Sequence, residues 1–490
     1  MTNAHQFKYL STLIVILCLS ACNRKPKTIS GQELYTSYCA SCHIAPKINE
    51  LPKNIWTDYV LPDMAFRMKI KEEYYGMEDT IARPEISLMN WVRLQSFIIQ
   101  NAPDSLVGNV LPKTSPLSQF EEETHAIDNE KGGFTTFLDI SDNSILLGES
   151  SGKVKEWQYA TSKTIELYSG NSAITSFSSN KGKSYATEVG VLDPSEAVEG
   201  SLFIVSDSTY QLPLPLKRPV HTLVEDLNQD GNEEFVVSEF GNNTGQLSLF
   251  YKKDTTTYDK KVLLGLPGCV RTLTHDMNAD GKLDLITMTT QGNESITILY
   301  QNTDLSFSAE RVIEFSPVYG SSWFDLIDYN QDGFLDIVTV NGDNADKSFV
   351  HKHYHGLRIF LNDGKQNFKE AYFYPMNGAT RFVANDFDQD GDIDFGVLST
   401  FPDYEKAPNR SFVYLENSDA ANFCFKTSAL NNYDTSRWFL LDSGDIDGDG
   451  DDDMVLSAFS YVFTPVPTLL QQKWNSSKVD ILVLKNNLNP

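Results

Sequence analysis

The stretch Asp386-Phe-Asp388-Gln-Asp390-Gly391-Asp-Ile-Asp394 sets oxygen-bearing side chains at positions 1, 3, 5 and 9 of a loop, with glycine at position 6. Carboxylates on alternate residues of a tight turn converge on one point, and glycine takes the sharp, often left-handed bend between them. Such a set suits a hard cation such as Ca2+, which is held by oxygens. The spacing recurs in register at Asp226, Asn228, Asp230 and Glu234, at Asp276, Asn278, Asp280 and Asp284, at Asp328, Asn330, Asp332 and Asp336, and at Asp445, Asp447, Asp449 and Asp453. A single copy reads equally well as a solvated Asp/Gly turn. Repetition in register predicts about five bound Ca2+ ions. The loops from Asp386 and Asp445 carry aspartate at position 3 where the others carry asparagine, so they are expected to bind most tightly.

A second pattern is Cys39-Ala-Ser-Cys42-His43. C-x-x-C-H is the attachment signature of haem c: the two thiols add to the vinyl groups and the histidine coordinates the iron from one side. A thioredoxin-like redox pair would want a βαβ context, and half a zinc site would want two more ligands at suitable spacing; neither is evident. A thioether as the second axial ligand would raise the potential and suit electron transfer. Met64, Met68, Met77 and Met89 lie downstream. Met68 lies one helical turn beyond Met64, so one of the two would pack the core, and Met89 opens a predicted last helix as a core residue.

These patterns sit in a chain of 490 residues, long enough for more than one domain. A formal charge of −26 argues against nucleic-acid partners, since nothing neutralises phosphates. Much of that acidity lies in the loops, where divalent ions would offset it. Residues 1–22 read as an export signal, with Lys8 followed by the apolar run Leu13–Leu19. The segment ends in Leu19-Ser20-Ala21-Cys22, which resembles a bacterial lipobox and implies cleavage before Cys22 and lipid attachment to it. No other apolar run approaches the ~18 residues of a spanning helix, so the mature chain is expected to be anchored to a membrane without crossing it. In the tether, residues 23–30, Arg24, Lys25 and Lys27 favour anionic headgroups. Surface-exported lipoproteins of the Bacteroidetes type that the chain resembles usually carry acidic residues there. Their lack leans toward a periplasm-facing protein on the outer membrane, with the cell surface as the alternative.

Gly31-Gln-Glu-Leu-Tyr35-Thr-Ser-Tyr38 precedes the paired thiols in the manner of the first helix of a class I cytochrome c. The resemblance implies a small all-α cytochrome c domain over residues 31–105. In the fused cytochrome–propeller proteins that the chain resembles, methionine follows a Leu-Pro pair, as in Leu61-Pro62-Asp63-Met64. The resemblance thus implies Met64 as the partner of His43. Residues 106–130, rich in Pro, Ser and Glu, read as a linker able to lend a strand to the domain after it.

From 131 to 490 the chain repeats at roughly fifty residues, a period of propellers or solenoids. Each acidic loop runs into a β-prone apolar stretch such as Phe235-Val-Val or Ile337-Val-Thr-Val. Two earlier units, around Phe134–Asp139 and Ala173–Phe177, lack the full loop, which predicts an all-β seven-bladed propeller of four-stranded blades. It resembles the FG-GAP/VCBS repeats of integrin-α-like propellers, where this loop binds Ca2+ between the first and second strands of a blade. On that pattern the first two blades should be free of metal.

Five residues before loop position 1 lie His221, Arg271, Trp323 and Arg381; in the last repeat Trp438, beside Arg437, is taken as the equivalent. These residues should ring the channel mouth opposite the acidic loops, where they either bind a carbohydrate or anionic ligand or simply close the channel. His351, His353 and His355 would share a face and could bind a transition metal on a strand, but are surface residues on a loop. Cys269 and Cys424 read as buried free thiols. No Gly-x-Ser-x-Gly elbow, phosphate loop or dinucleotide fingerprint is present, so no catalyst is identified. Three function classes remain open. The first is a tethered electron-transfer cytochrome whose propeller docks a redox partner protein or electron carrier. The second is a binding or adhesion module with a structural or sensing haem. The third is a propeller oxidoreductase that feeds substrate electrons to the haem.

Overall fold

The computed structural model describes residues 29–41, 43–70, 85–108, 110–127, 133–141, 143–206, 209–254, 257–345 and 348–488. The signal segment with Cys22, the central Cys42 and Met77 lie outside them. The chain forms two compact units, residues 1–104 and 105–490.

The described part of the first unit is helical. Ser30 caps the helix Gly31–Leu34 reciprocally with Glu33, and the helix continues through a wider turn, Tyr35–Cys39. Shorter helical pieces, Lys53–Ile55, Trp56–Val60 and Leu61–Arg67, succeed one another with Pro62 near the start of the last. Helix Leu88–Asn101, capped by Ser87, buries Trp91, Leu94 and Ile98 at helical spacing. Gly31 lets the first helix approach this one closely, since a Cβ there would meet the Cβ of Phe97 at 2.4 Å. Met68 is 8% exposed and packs the core, whereas Met89 is 64% exposed, so the expectation of Met89 as a core residue is corrected. It lies in the first turn of the helix, on the face turned to solvent.

The second unit is a seven-bladed propeller. Its blades open on the strands Thr135–Ser141, Ile174–Asn180, Pro219–Glu225, Cys269–His275, Ser321–Ile327, Ala379–Asn385 and Trp438–Gly444. Each pairs antiparallel with the next strand in the chain. Each innermost strand packs against that of the next blade, and Trp438–Gly444 returns to Thr135–Ser141, which closes the ring. The second strands of blades 3 to 7, such as Asp284–Thr289 and Asp394–Ser399, are buried at every residue. Neighbouring blades cover both of their faces, which explains apolar runs without alternation.

Blade 7 takes its outermost strand, Phe120–His125, from the other end of the propeller sequence. Ser115–Pro116 pairs with the outermost strand of blade 6. The stretch 106–130, read as a linker, is therefore partly blade. Phe120 is 3% exposed and meets Tyr414 and Phe387 of blade 6 edge-on, at 5.1 and 6.1 Å between ring centres. Phe120→Ala is expected to cost about 3–5 kcal/mol in denaturant unfolding of the propeller. A loss under about 1 kcal/mol would show that this strand does not fasten the ring.

Cys269 is fully buried as expected, but Cys424 is exposed. It starts the outermost strand of blade 6, Cys424–Ala429, where one face meets solvent.

Candidate functional site

The five acidic loops join the first and second strands of blades 3 to 7 and share one backbone conformation. The amide of the position 6 glycine donates to the carboxylate at position 1 in every copy, at 2.8–3.2 Å. The amide of position 5 donates to the side-chain oxygen of position 3, at 3.0–3.2 Å. The glycine sits at φ between +85° and +99°, where other residues are strained. Position 4 is left-handed as well, in Gln229, Ala279, Gln331, Gln389 and Gly448. Gln331 and Gln389 each reach forward to the carbonyl of the next loop's position 6 glycine, Gly391 and Gly450, at 2.6 and 3.3 Å. These links were missed in the sequence, although glutamine recurs at position 4.

Carboxylate oxygens of Asp386, Asp388 and Asp394 lie within 4.8 Å of one another, as do those of Asp445, Asp447 and Asp449. These are the two loops with aspartate at position 3. Lysine already reaches three of the five: Lys485 lies 2.5 Å from Asp447, Lys282 3.0 Å from Asp280 and Lys181 3.2 Å from Asp226.

The acid at position 9 does a structural job that the sequence reading did not give it. It begins the second strand and is buried in every copy: Glu234, Asp284, Asp336, Asp394 and Asp453. Its carboxylate accepts the amide of loop position 2 in each case, at 3.0–3.2 Å. In Asp284, Asp336, Asp394 and Asp453 the other oxygen accepts an amide at an end of the third strand, at 2.7–2.8 Å. Burial above all, and the other loop carboxylates, push Glu234, Asp394 and Asp453 up to about 7 and Asp336 up to about 6.

Residues 276–339 match an FG-GAP-like repeat. That segment carries the loops from Asp276 and Asp328, and it runs from the acidic loop of blade 4 into the second strand of blade 5. No curated protein matches the chain. Three solved propellers are similar to it at low identity. The β-propeller domain of Myceliophteria thermophila Cps50 (Swd1) is 11% identical over 67% of this chain and 95% of its own, with a TM-score of 0.41. The N-terminal domain of Nup159 is 12% identical over 78% and 99%, with a TM-score of 0.41. The Neurospora crassa Pan2 WD40 domain is 10% identical over 76% and 98%, with a TM-score of 0.44.

In the helical unit, Cys39 ends the Tyr35–Cys39 turn as a half-buried free thiol, pushed up to about 11 by burial. Nδ1 of His43 donates to the carbonyl of Ile44 at 2.8 Å, which fixes the tautomer and leaves Nε2 as the free lone pair. Met64 lies half-buried in helix Leu61–Arg67.

At the opposite end of the innermost strands from the acidic loops, every strand carries a bulge near its start. The residue after the bulge is His221, Arg271, Trp323 or Arg381 in blades 3 to 6, as the spacing predicts. In blade 7 it is Leu440, which corrects the assignment of Trp438. Trp438 is 1% exposed in the core between blades. Arg437, equally buried, stacks 4.0 Å from the Phe463 ring and donates to Thr464 and to the carbonyls of Thr400 and Tyr461. The guanidinium carbons of Arg271 and Arg381 each lie 4.0 Å from the centre of the Trp323 ring. Burial, then the charge of Arg271, holds Arg381 down to about 9.

Two residues further in, the same strands bring Asp139, Asp325 and Asp442 into the channel, and Arg271 pairs with Asp325 at 3.3 Å. These acids were overlooked, although Asp325 and Asp442 both stand three residues before loop position 1. Burial first, then the charge of Asp139, push Asp442 up to about 7. Because the folded value exceeds the unfolded one, stability falls as pH rises from about 4 to about 7 and the full penalty applies above that. Asp442→Asn keeps an acceptor for the Ile140 amide, 2.8 Å from Asp442 Oδ2. It is expected to stabilise the fold by about 2–4 kcal/mol at pH 8 and to be neutral near pH 4. An equal effect at both pH values in denaturant unfolding would contradict this.

His351 and His353 are exposed on a loop and His355 is buried at its end, just before strand Gly356–Asn362. They share no face, so the loop reading holds for the first two. Among the described residues they form no metal-ligating group.

Proposed function

We propose that the chain is a lipid-anchored, periplasm-facing c-type cytochrome whose Ca2+-bound propeller serves as the docking platform for a redox partner. Cys39, Cys42, His43 and Met64 would hold the haem, and Cys22 would carry the lipid. The bound group would supply a reversible one-electron couple. One observation carries the reading: His43 spends Nδ1 on a backbone carbonyl and keeps Nε2 free, the arrangement a ligating histidine needs, directly after the paired thiols. The helical unit also exposes Ile44, Phe66, Leu88, Met89 and Val92, apolar surface that an apolar prosthetic group would cover. In the propeller, buried position 9 acids crowded by further carboxylates support a divalent cation in the loops, above all at Asp386, Asp388, Asp390 and Asp394, where no lysine forms an ion pair among the described residues.

Spectroscopic redox titration of the full chain tests the reading. A reversible one-electron couple is expected, with Met64→Ala lowering its midpoint and removing the sulfur-to-iron band. If Met68→Ala does so instead, the ligand is wrongly assigned. Absence of any reversible couple would sink electron transfer.

A further inference from the structure

At the mouth of the propeller two neighbouring arginines share a single close ion pair among the described residues, and Asp442 acts on Arg271 without one. Arg271 has Asp325 as its counter-ion, with its side chain 16% exposed. Arg381 has no carboxylate partner among the described residues: its Nη1 donates to the carbonyls of Ser322 and Thr380, both at 3.2 Å. Asp343 offsets part of that charge from a distance. Each arginine spends only Nη1 on protein acceptors, so Nε and Nη2 of both are uncommitted. His221 feels the charges of Arg271 in the next blade and Arg381 three blades on, which places all three about the axis. Its buried Nδ1 has no partner. Burial first, then those two arginines, hold its pKa down to about 3, so it is neutral and adds no charge of its own.

Paired guanidinium forks with unused donors match the two oxygens of a carboxylate or phosphate group, and binding one relieves the repulsion between them. We propose that the propeller mouth binds a small oxyanion, gripped by Arg271 and Arg381 beside Trp323 with Nδ1 of His221 as a further donor. The bulge common to the innermost strands aims these side chains inward, at the end of the channel away from the acidic loops. This inference is independent of haem and of Ca2+: it concerns what the platform recognises.

Calorimetric titration and thermal melting of the full chain with inorganic phosphate, with galacturonate and with neutral galactose test it. Either or both anions are expected to bind and raise the melting midpoint, while galactose leaves it unmoved. Binding of phosphate alone assigns a phosphoryl ligand and of galacturonate alone a carboxylate. Arg381→Gln is expected to weaken the anion about tenfold or more. Because that change removes a like charge from beside Arg271, its ligand-free midpoint should match or exceed wild type, which separates lost binding from misfolding. Arg311→Gln, on the exposed outermost strand of blade 4, should bind as wild type does. Failure of both anions to bind at millimolar concentration, or undiminished binding by Arg381→Gln, overturns the proposal.

Discussion

Cys39→Ser combined with Cys42→Ser is expected to abolish covalent porphyrin entirely when the protein is made in cells capable of c-type maturation. The thioether bonds have no other donors in this segment, since the remaining cysteines of the chain are Cys18, Cys22, Cys269 and Cys424. The helical unit should also lose stability, because a module this small buries little surface by itself. Proteolysis confined to residues before about 104 in the double variant, with the propeller intact, would show that loss directly. His43→Ala should leave the porphyrin attached but change its axial coordination. Retention of porphyrin by the double variant would mean that the two thiols are not the attachment points.

Chelation of Ca2+ is expected to lower the propeller's melting midpoint by roughly ten degrees or more. An ion bound only by the folded state at one hundred times its dissociation constant contributes about 2.7 kcal/mol, and several such loops lie in one closed ring. Asp386→Ala and Asp394→Ala should separate ligation from scaffolding. Asp386 serves the loop alone, accepting from Asp390 and Gly391, so its loss should matter with Ca2+ and vanish with chelator. Asp394 accepts the amides of Phe387 and Asn417 and the hydroxyl of Tyr414, so Asp394→Ala should destabilise under both conditions. In calorimetric titration the loop from Asp386 is expected to fill before that from Asp445, because Lys485 competes at Asp447. A midpoint indifferent to chelator would contradict metal binding by these loops.

Features encoded locally were the legible ones. The acidic loops, the glycine at φ near +90° and the apolar second strands all lie within one repeat, so their spacing carries them. The closing strand is the opposite case: Phe120–His125 pairs with Ile481–Asn486, and no local pattern announces a partner that distant. The mouth register was legible in blades 3 to 6 and misread in blade 7. There the indole of Trp438 looked like a channel residue but fills a core, and the uniform count of five gave Leu440. The double role of position 9 was hidden as well, because a ligand and a backbone acceptor require the same residue type. Exposure of Met89 and Cys424 shows the same limit: apolar character does not fix which face of a helix or edge strand meets solvent.

Extraction of the purified protein with acidified acetone shows whether a porphyrin is covalently bound to the chain. The visible absorption of haem should remain with the precipitated polypeptide and, on reduction, give the sharp bands of a c-type cytochrome. A colourless polypeptide, whether the pigment passes into the solvent or was never there, would rule out a covalently attached haem.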